Sequence, residues 1–118
     1  MLNDEVRHPL IEGAEFSISY WHSVNQSMVS EIFEIRQGKI TLIALEFESF
    51  GAGMPTELEP GQSLTRLPRG KMRIDGFNRS ANTFDFLIGQ DTNHVLYITC
   101  QSFELRPGLL HLSVEERN

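Results

Sequence analysis

Alternation of apolar and polar residues predicts the first two β-strands of the chain. In residues 15–22 and again in residues 29–36, every second side chain is mostly apolar or aromatic, which matches the two-residue period of a strand. Each strand therefore has one face suited to a core. That face carries Phe16, Ile18, Tyr20 and His22 on the first strand, and Val29, Glu31, Phe33 and Ile35 on the second.

These two strands can form an antiparallel hairpin in which apolar residues meet apolar residues. A four-residue loop at Asn25–Met28 sets a register in which Tyr20 lies opposite Phe33 and His22 lies opposite Glu31. Directly opposed side chains are about 5 Å apart at Cβ. The pattern therefore predicts that the imidazole of His22 and the carboxylate of Glu31 meet on the inner face.

A third strand follows the tight turn that Gln37-Gly38 predicts. Residues 39–47 are apolar on both faces over much of their length, which is typical of a strand at the centre of a sheet. Continuing the register places Glu31 opposite Ala44, a small side chain that would leave room beside the carboxylate.

The rest of the chain contains four more strand patterns and no long helical one. They span residues 71–75, 83–88, 95–99 and 109–114, with turn signals at 76–82, 89–93 and 107–108. Residues 56–59 could form one helical turn. The sequence thus predicts an all-β fold, an antiparallel β-sandwich or barrel of about seven to eight short strands with at most one helical turn.

Size and composition narrow the range of functions. The 118 residues predict a single domain over residues 1–118, with residues 1–13 as a polar lead-in, and the apolar fraction of 40% is enough for a core. The net charge of −6 argues against nucleic-acid binding. No apolar run is long enough to span a membrane, and the first residues lack the features of a signal peptide. The single cysteine, Cys100, lies in an apolar run and is predicted to be buried.

The predicted pair of His22 and Glu31 is the first candidate site. It could be a structural hydrogen-bonded pair that fixes the hairpin, or a ligand-binding, metal-binding or acid–base pair. His94 and His111 could join it, but no recognisable ligand spacing occurs, so no metal or other cofactor is predicted. Ser23 faces away from His22 because adjacent strand residues point to opposite faces. A Ser–His nucleophile is therefore not expected, and an enzyme is the less favoured interpretation.

Two further stretches could contact an anion. Gly51-Ala52-Gly53 could expose backbone N–H groups in a turn, or simply bend the chain as it leaves the third strand. The second stretch holds half of the cationic residues, and it is either a solvated strand face or an acidic-partner, anion or headgroup surface. Its residues are Arg66, Arg69, Lys71, Arg73 and Arg79.

The motif residues resemble a known bacterial family. His22-Ser23-Val24, then Glu31, then Ser49–Pro55 are similar to the pattern HSV…E…FGAG-(L/M)-P of the domain-of-unknown-function family 1850. The resemblance covers roughly residues 15 to 105. The motif positions that carry it are His22, Ser23, Glu31, Gly51, Gly53 and Pro55, to which the family assigns no role.

The resemblance implies a setting rather than an activity. Such proteins are typically encoded beside, or fused to, permeases of TRAP-type transporters of the TAXI class. It implies an extracytoplasmic or membrane-anchored location, although a cytoplasmic one stays open because no leader pattern is seen. The implied role is an accessory or binding module. Its partner would be a transporter permease, a solute-binding protein or a small anionic ligand. The alternatives are a small enzyme using a His22–Glu31 acid–base pair, or a purely structural interaction domain.

Overall fold

The computed structural model describes residues 7–22, 27–48, 58–90 and 92–115. These residues form nine strands and one short 3₁₀ turn, Pro68–Gly70. The strands are β1 Glu15–His22, β2 Ser27–Arg36, β3 Lys39–Glu48, β4 Ser63–Arg66, β5 Lys71–Ala81, β6 Thr83–Ile88, β7 Val95–Ile98, β8 Gln101–Glu104 and β9 Gly108–Ser113.

The strands form two antiparallel sheets. Seven of them make a large sheet in the order β4-β5-β3-β2-β1-β7-β8, and β6 pairs with β9 in a second sheet. The all-β prediction is confirmed, and the large sheet is open rather than closed into a barrel. Strand β3 lies between β5 and β2, so its predicted central position is also confirmed.

Phe33 on β2 is at the middle of the main core. Its ring is fully buried and stacks on Phe16 of β1 at 5.2 Å between centroids. It also meets Phe84 and Phe86 of β6 edge-on, at 5.5 and 6.0 Å. Offset-stacked and edge-on contacts are the favoured arrangements of aromatic pairs. This cluster therefore joins the inner face of the large sheet to the small sheet.

Two strands were missed by the sequence prediction. Strand β4 is exposed at all four positions, and β8 has a single apolar residue, Phe103. Neither is long enough to show an alternating pattern, because a signal of period two needs several apolar positions.

The predicted turn at residues 76–82 is wrong. Strand β5 continues to Ala81, and Gly76 bends it with a φ of 97°, which glycine adopts at little cost. Only Asn82 separates β5 from β6. The chain therefore passes from one sheet to the other at a sharp corner.

Cys100 is also placed differently from the prediction. Strand β7 ends at Ile98, and Cys100 lies in the following turn, where it is exposed. The apolar run that suggested burial does not extend to this residue.

The lead-in segment contacts the body of the fold. Leu10 packs against the main core, and the Glu12 carboxylate accepts hydrogen bonds from the backbone N–H groups of Gln37 and Gly38. Both turn residues have positive φ, so this carboxylate supports the β2–β3 turn. In the part of the chain that the structure describes, we find no helix that is long and apolar enough to span a membrane.

Candidate functional site

An open pocket of about 470 Å³ lies at the end of strand β1. It is bounded by β1, β2, β6 and the segment that leads into β7. This volume falls within the usual range for small-molecule sites. The lining residues are Tyr20, Trp21, His22, Glu31, Phe86, Leu87, Thr92 and His94.

Strand alternation brings three of these residues to the pocket. Tyr20, His22 and Glu31 all lie on the inner face, as the apolar pattern predicts. Two of them, His22 and Glu31, are motif residues that were singled out in the sequence. The structure thus brings both to one pocket.

The predicted pairing of His22 with Glu31 is wrong. His22 lies opposite Ser27, whereas Glu31 lies opposite Ile18. The two motif residues are therefore four residues apart along the ladder, or roughly 13 Å at 3.3–3.4 Å per residue. Tyr20 lies between them. The predicted loop at Asn25–Met28 is misplaced for the same reason, because β2 already begins at Ser27.

The other neighbour predicted for Glu31 is also wrong. Leu45 lies opposite Glu31, and Ala44 lies opposite Ile32. The cause is an irregularity in the β2–β3 ladder between Ile32 and Phe33. Such a bulge shifts the pairing by one residue on one strand, so the space beside Glu31 does not come from an alanine.

The aromatic wall of the pocket comes from Tyr20 and His94. Their rings stack with centroids 4.9 Å apart and planes 9° apart. Thr92 holds His94 through a 2.6 Å contact between its Oγ1 and the imidazole Nδ1. The same hydroxyl donates to the carbonyl of Gly89. Because a hydroxyl has one proton to donate, Nδ1–H of His94 is the donor to Thr92, which leaves Nε2 as an acceptor.

The segment that carries His94 is attached to β1. The backbone N–H of Trp21 donates to the carbonyl of Thr92 at 2.7 Å. His94 itself is buried, with 8% of its surface exposed. These contacts fix the imidazole against Tyr20 before any ligand arrives.

Burial changes the protonation of the pocket groups. It raises the pKa of Glu31, and a side-chain hydrogen bond with Tyr20 partly offsets that rise. Burial, followed by the Glu31 charge, raises the pKa of Tyr20. Burial lowers the pKa of His94. At neutral pH the Tyr20 phenol and the His94 imidazole are therefore neutral, and burial disfavours the charged form of the Glu31 carboxyl group.

Ser27 is a second feature of the same face. It is fully buried opposite His22, and its Oγ has no hydrogen-bond partner among the described residues. A buried hydroxyl without a partner costs about 1–3 kcal/mol. The hydroxyl therefore weakens the fold at the pocket end of the hairpin.

The remaining motif residues, Ser23, Gly51, Gly53 and Pro55, lie outside the described residues. The anion-binding turn predicted at Gly51–Gly53 therefore stays a prediction. The predicted helical turn at 56–59 falls partly in the same stretch, and Leu58 and Glu59 within it are not helical.

The other candidate groups do not join the pocket. His111 hydrogen-bonds to Asp85 on the exposed side of the small sheet. Arg73, in the basic stretch, is held by Glu46 at 2.8 Å and by Asp75 at 2.9 Å. Within the described ranges we find no group of three or more His, Cys, Asp or Glu side chains placed to bind a metal.

The sequence did not show how Phe86, Thr92 and His94 come to the pocket wall. Phe86 belongs to a predicted strand, but only the packing of the two sheets brings it near β1. Thr92 and His94 lie in an irregular segment with no periodicity, so no sequence pattern indicates their position. His94 was considered only as a metal ligand.

Comparison with known proteins gives one match. No curated protein and no solved structure matches the chain. A family model described as "Domain of unknown function (DUF1850)" matches residues 16–105, which includes the pocket residues on β1, β2, β6 and before β7. This match spans well over half of the chain, and the protein therefore belongs to the DUF1850 family.

Proposed function

We propose that this protein is a ligand-binding accessory module that works outside the membrane beside a TRAP-type transporter of the TAXI class. The observation that carries the proposal is the pocket at the end of β1, which His22 and Glu31 line together with Phe86 of the second sheet. If the motif residues only stabilised the hairpin, they would not need to line a pocket that is open to solvent. The transporter setting comes from the family resemblance.

The geometry favours binding over acid–base catalysis. A general acid–base pair needs both groups within hydrogen-bond reach of the reacting atoms. His22 and Glu31 are not cross-strand neighbours, and the hydrogen-bonding neighbour of Glu31 is Tyr20. The arrangement is better suited to holding a small molecule than to transferring its protons.

A thermal-shift screen tests the binding function. We expect at least one compound from a set of organic acids, amines and divalent metals to raise the Tm of the protein, because a ligand stabilises the state that binds it. The shift should weaken in Leu87→Ala, which alters an exposed leucine of the pocket wall, and persist in Leu64→Ala, which alters an exposed leucine on β4. A shift that is equal in both variants would place binding elsewhere, and a screen without shifts would contradict the proposal.

The partner is tested separately. The tagged protein, expressed in its source cells at native level, should co-purify with TAXI-type permease subunits in mild detergent and fractionate outside the cytoplasm. Recovery in the cytoplasmic fraction without permease subunits would contradict the transporter role while leaving the ligand result intact.

A further inference from the structure

The charges around the pocket restrict the ligands that it can take. Among the described residues that line the pocket, Glu31 is the one carboxyl group, and none is a lysine or an arginine. The imidazole of His94 is neutral there, since burial lowers its pKa. A carboxylate in a partly desolvated site repels an anion and is stabilised by a cation. The pocket itself therefore does not suit the anionic ligand that the glycine turn suggested.

The aromatic rings of the pocket wall add a second preference for the ligand. Tyr20 and His94 stack in the wall, the ring of His22 lies 6.5 Å from that of Tyr20, and Phe86 closes the side formed by the small sheet. Aromatic rings attract cations that lie within about 6 Å of their centroids. A pocket wall that combines aromatic rings with one carboxyl group is therefore suited to an organic ammonium ion.

We propose that the pocket binds a small organic ammonium ion, with Glu31 as its counter-charge and the aromatic side chains as its wall. This inference rests on the proposed ligand-binding function and names its ligand class. A bare metal ion fits less well, because the described residues offer no cluster of three or more metal-binding side chains. The pocket volume of about 470 Å³ is sufficient for an organic cation.

A series of three matched probes tests the charge preference. Choline, its neutral isostere 3,3-dimethylbutan-1-ol and the anion 3,3-dimethylbutanoate have similar shapes and differ in charge. We expect choline to produce saturable NMR shifts at Glu31 and His94, and to bind about tenfold more tightly than either analogue. Equal or tighter binding of the alcohol or the anion would overturn the inference, and so would the absence of any choline shift at these residues.

Two variants of the same strand separate charge from shape. Glu31→Gln should weaken choline binding about tenfold, whereas Glu34→Gln, on the opposite face of β2, should leave it unchanged. Unchanged binding in Glu31→Gln would overturn the role of the carboxylate.

The thermal-shift screen separates this inference from the proposed function. Pocket ligands that are all neutral or anionic would overturn the ammonium inference and retain the binding function. A screen without any pocket ligand would overturn both.

Discussion

At the scale of single residues, the pocket face contains groups that reduce stability. Glu31 is a carboxyl whose charge is disfavoured by burial, and Ser27 has a buried hydroxyl without a partner among the described residues. Functional sites commonly retain such groups at the expense of stability. Substitutions that remove them should therefore stabilise the protein.

Ser27→Ala should leave the free energy of unfolding unchanged or raise it by about 1 kcal/mol, because it removes an unsatisfied hydroxyl. Ser19→Ala is the matched control. The Ser19 hydroxyl makes a 2.7 Å hydrogen bond to that of Ser30, so its loss should lower the free energy by about 1 kcal/mol. Urea unfolding measures both, and a larger loss in Ser27→Ala than in Ser19→Ala would contradict the assignment.

Glu31 should also affect the pH dependence of stability. Its pKa is higher in the folded state than the ordinary value of about 4.3. Between these two values the folded state binds more protons than the unfolded state, so the free energy of unfolding falls as the pH rises. The other titratable groups among the described pocket residues are Tyr20, His22 and His94. The lowered pKa of His94 acts in the opposite direction, because it reduces stability as the pH falls below about 6.5.

Comparison with a variant isolates the contribution of Glu31. We expect Glu31→Gln to lack this fall, and therefore to gain stability relative to the wild type as the pH rises above about 4.3. Glu34→Gln, which removes a carboxylate paired with Arg36, should not gain in this way. Parallel pH profiles of the wild type and Glu31→Gln would show that the Glu31 pKa is not raised.

At the scale of strands, the sequence predicted which face of the sheet each side chain lies on better than it predicted which residues pair across the strands. Alternation placed Tyr20, His22 and Glu31 correctly on the inner face, since a slip by one residue would have reversed every side chain. If β2 is moved along β1 by an even number of residues, the same faces stay inward and the apolar pattern fits equally well. For this reason the pattern could not distinguish Ile18 from His22 as the partner of Glu31. The position of the loop decides between them, and the sequence offered no glycine there.

Close backbone approach was a second feature that the sequence could not show. Gly76 was taken as part of a turn, but it lies within β5, where an added Cβ would be 2.2 Å from the carbonyl oxygen of Gly61. That contact joins residues far apart in the chain. Only the pairing of β4 with β5 brings the two together.

Gly76→Ala should therefore lower the free energy of unfolding by about 3 kcal/mol or more, through steric overlap added to the strain of positive φ. Gly61→Ala is the matched control, because its φ is also positive but no atom lies within 4 Å of the added Cβ. Its cost should be about 1 kcal/mol. Similar losses in the two variants, measured by urea unfolding, would contradict the close approach.

At the scale of the whole molecule, the pocket depends on the meeting of two sheets. Tyr20 and Glu31 come from the large sheet, Phe86 comes from the small one, and the segment with His94 is attached to β1. The apolar pattern predicts β6 as a strand but does not show which sheet β6 joins. The all-β fold and two motif residues of the site were thus accessible from sequence, whereas the wall that completes the pocket was not.

The pocket depends on a hydrogen bond between Glu31 and Tyr20, rather than one between Glu31 and His22. Two double-mutant cycles in the free energy of unfolding test it directly, one with Tyr20→Phe and Glu31→Gln and the other with His22→Gln and Glu31→Gln. We predict a coupling energy of about 1 kcal/mol for the first pair and a value near zero for the second. Coupling between His22 and Glu31, with none between Tyr20 and Glu31, would contradict the register and the pocket built on it.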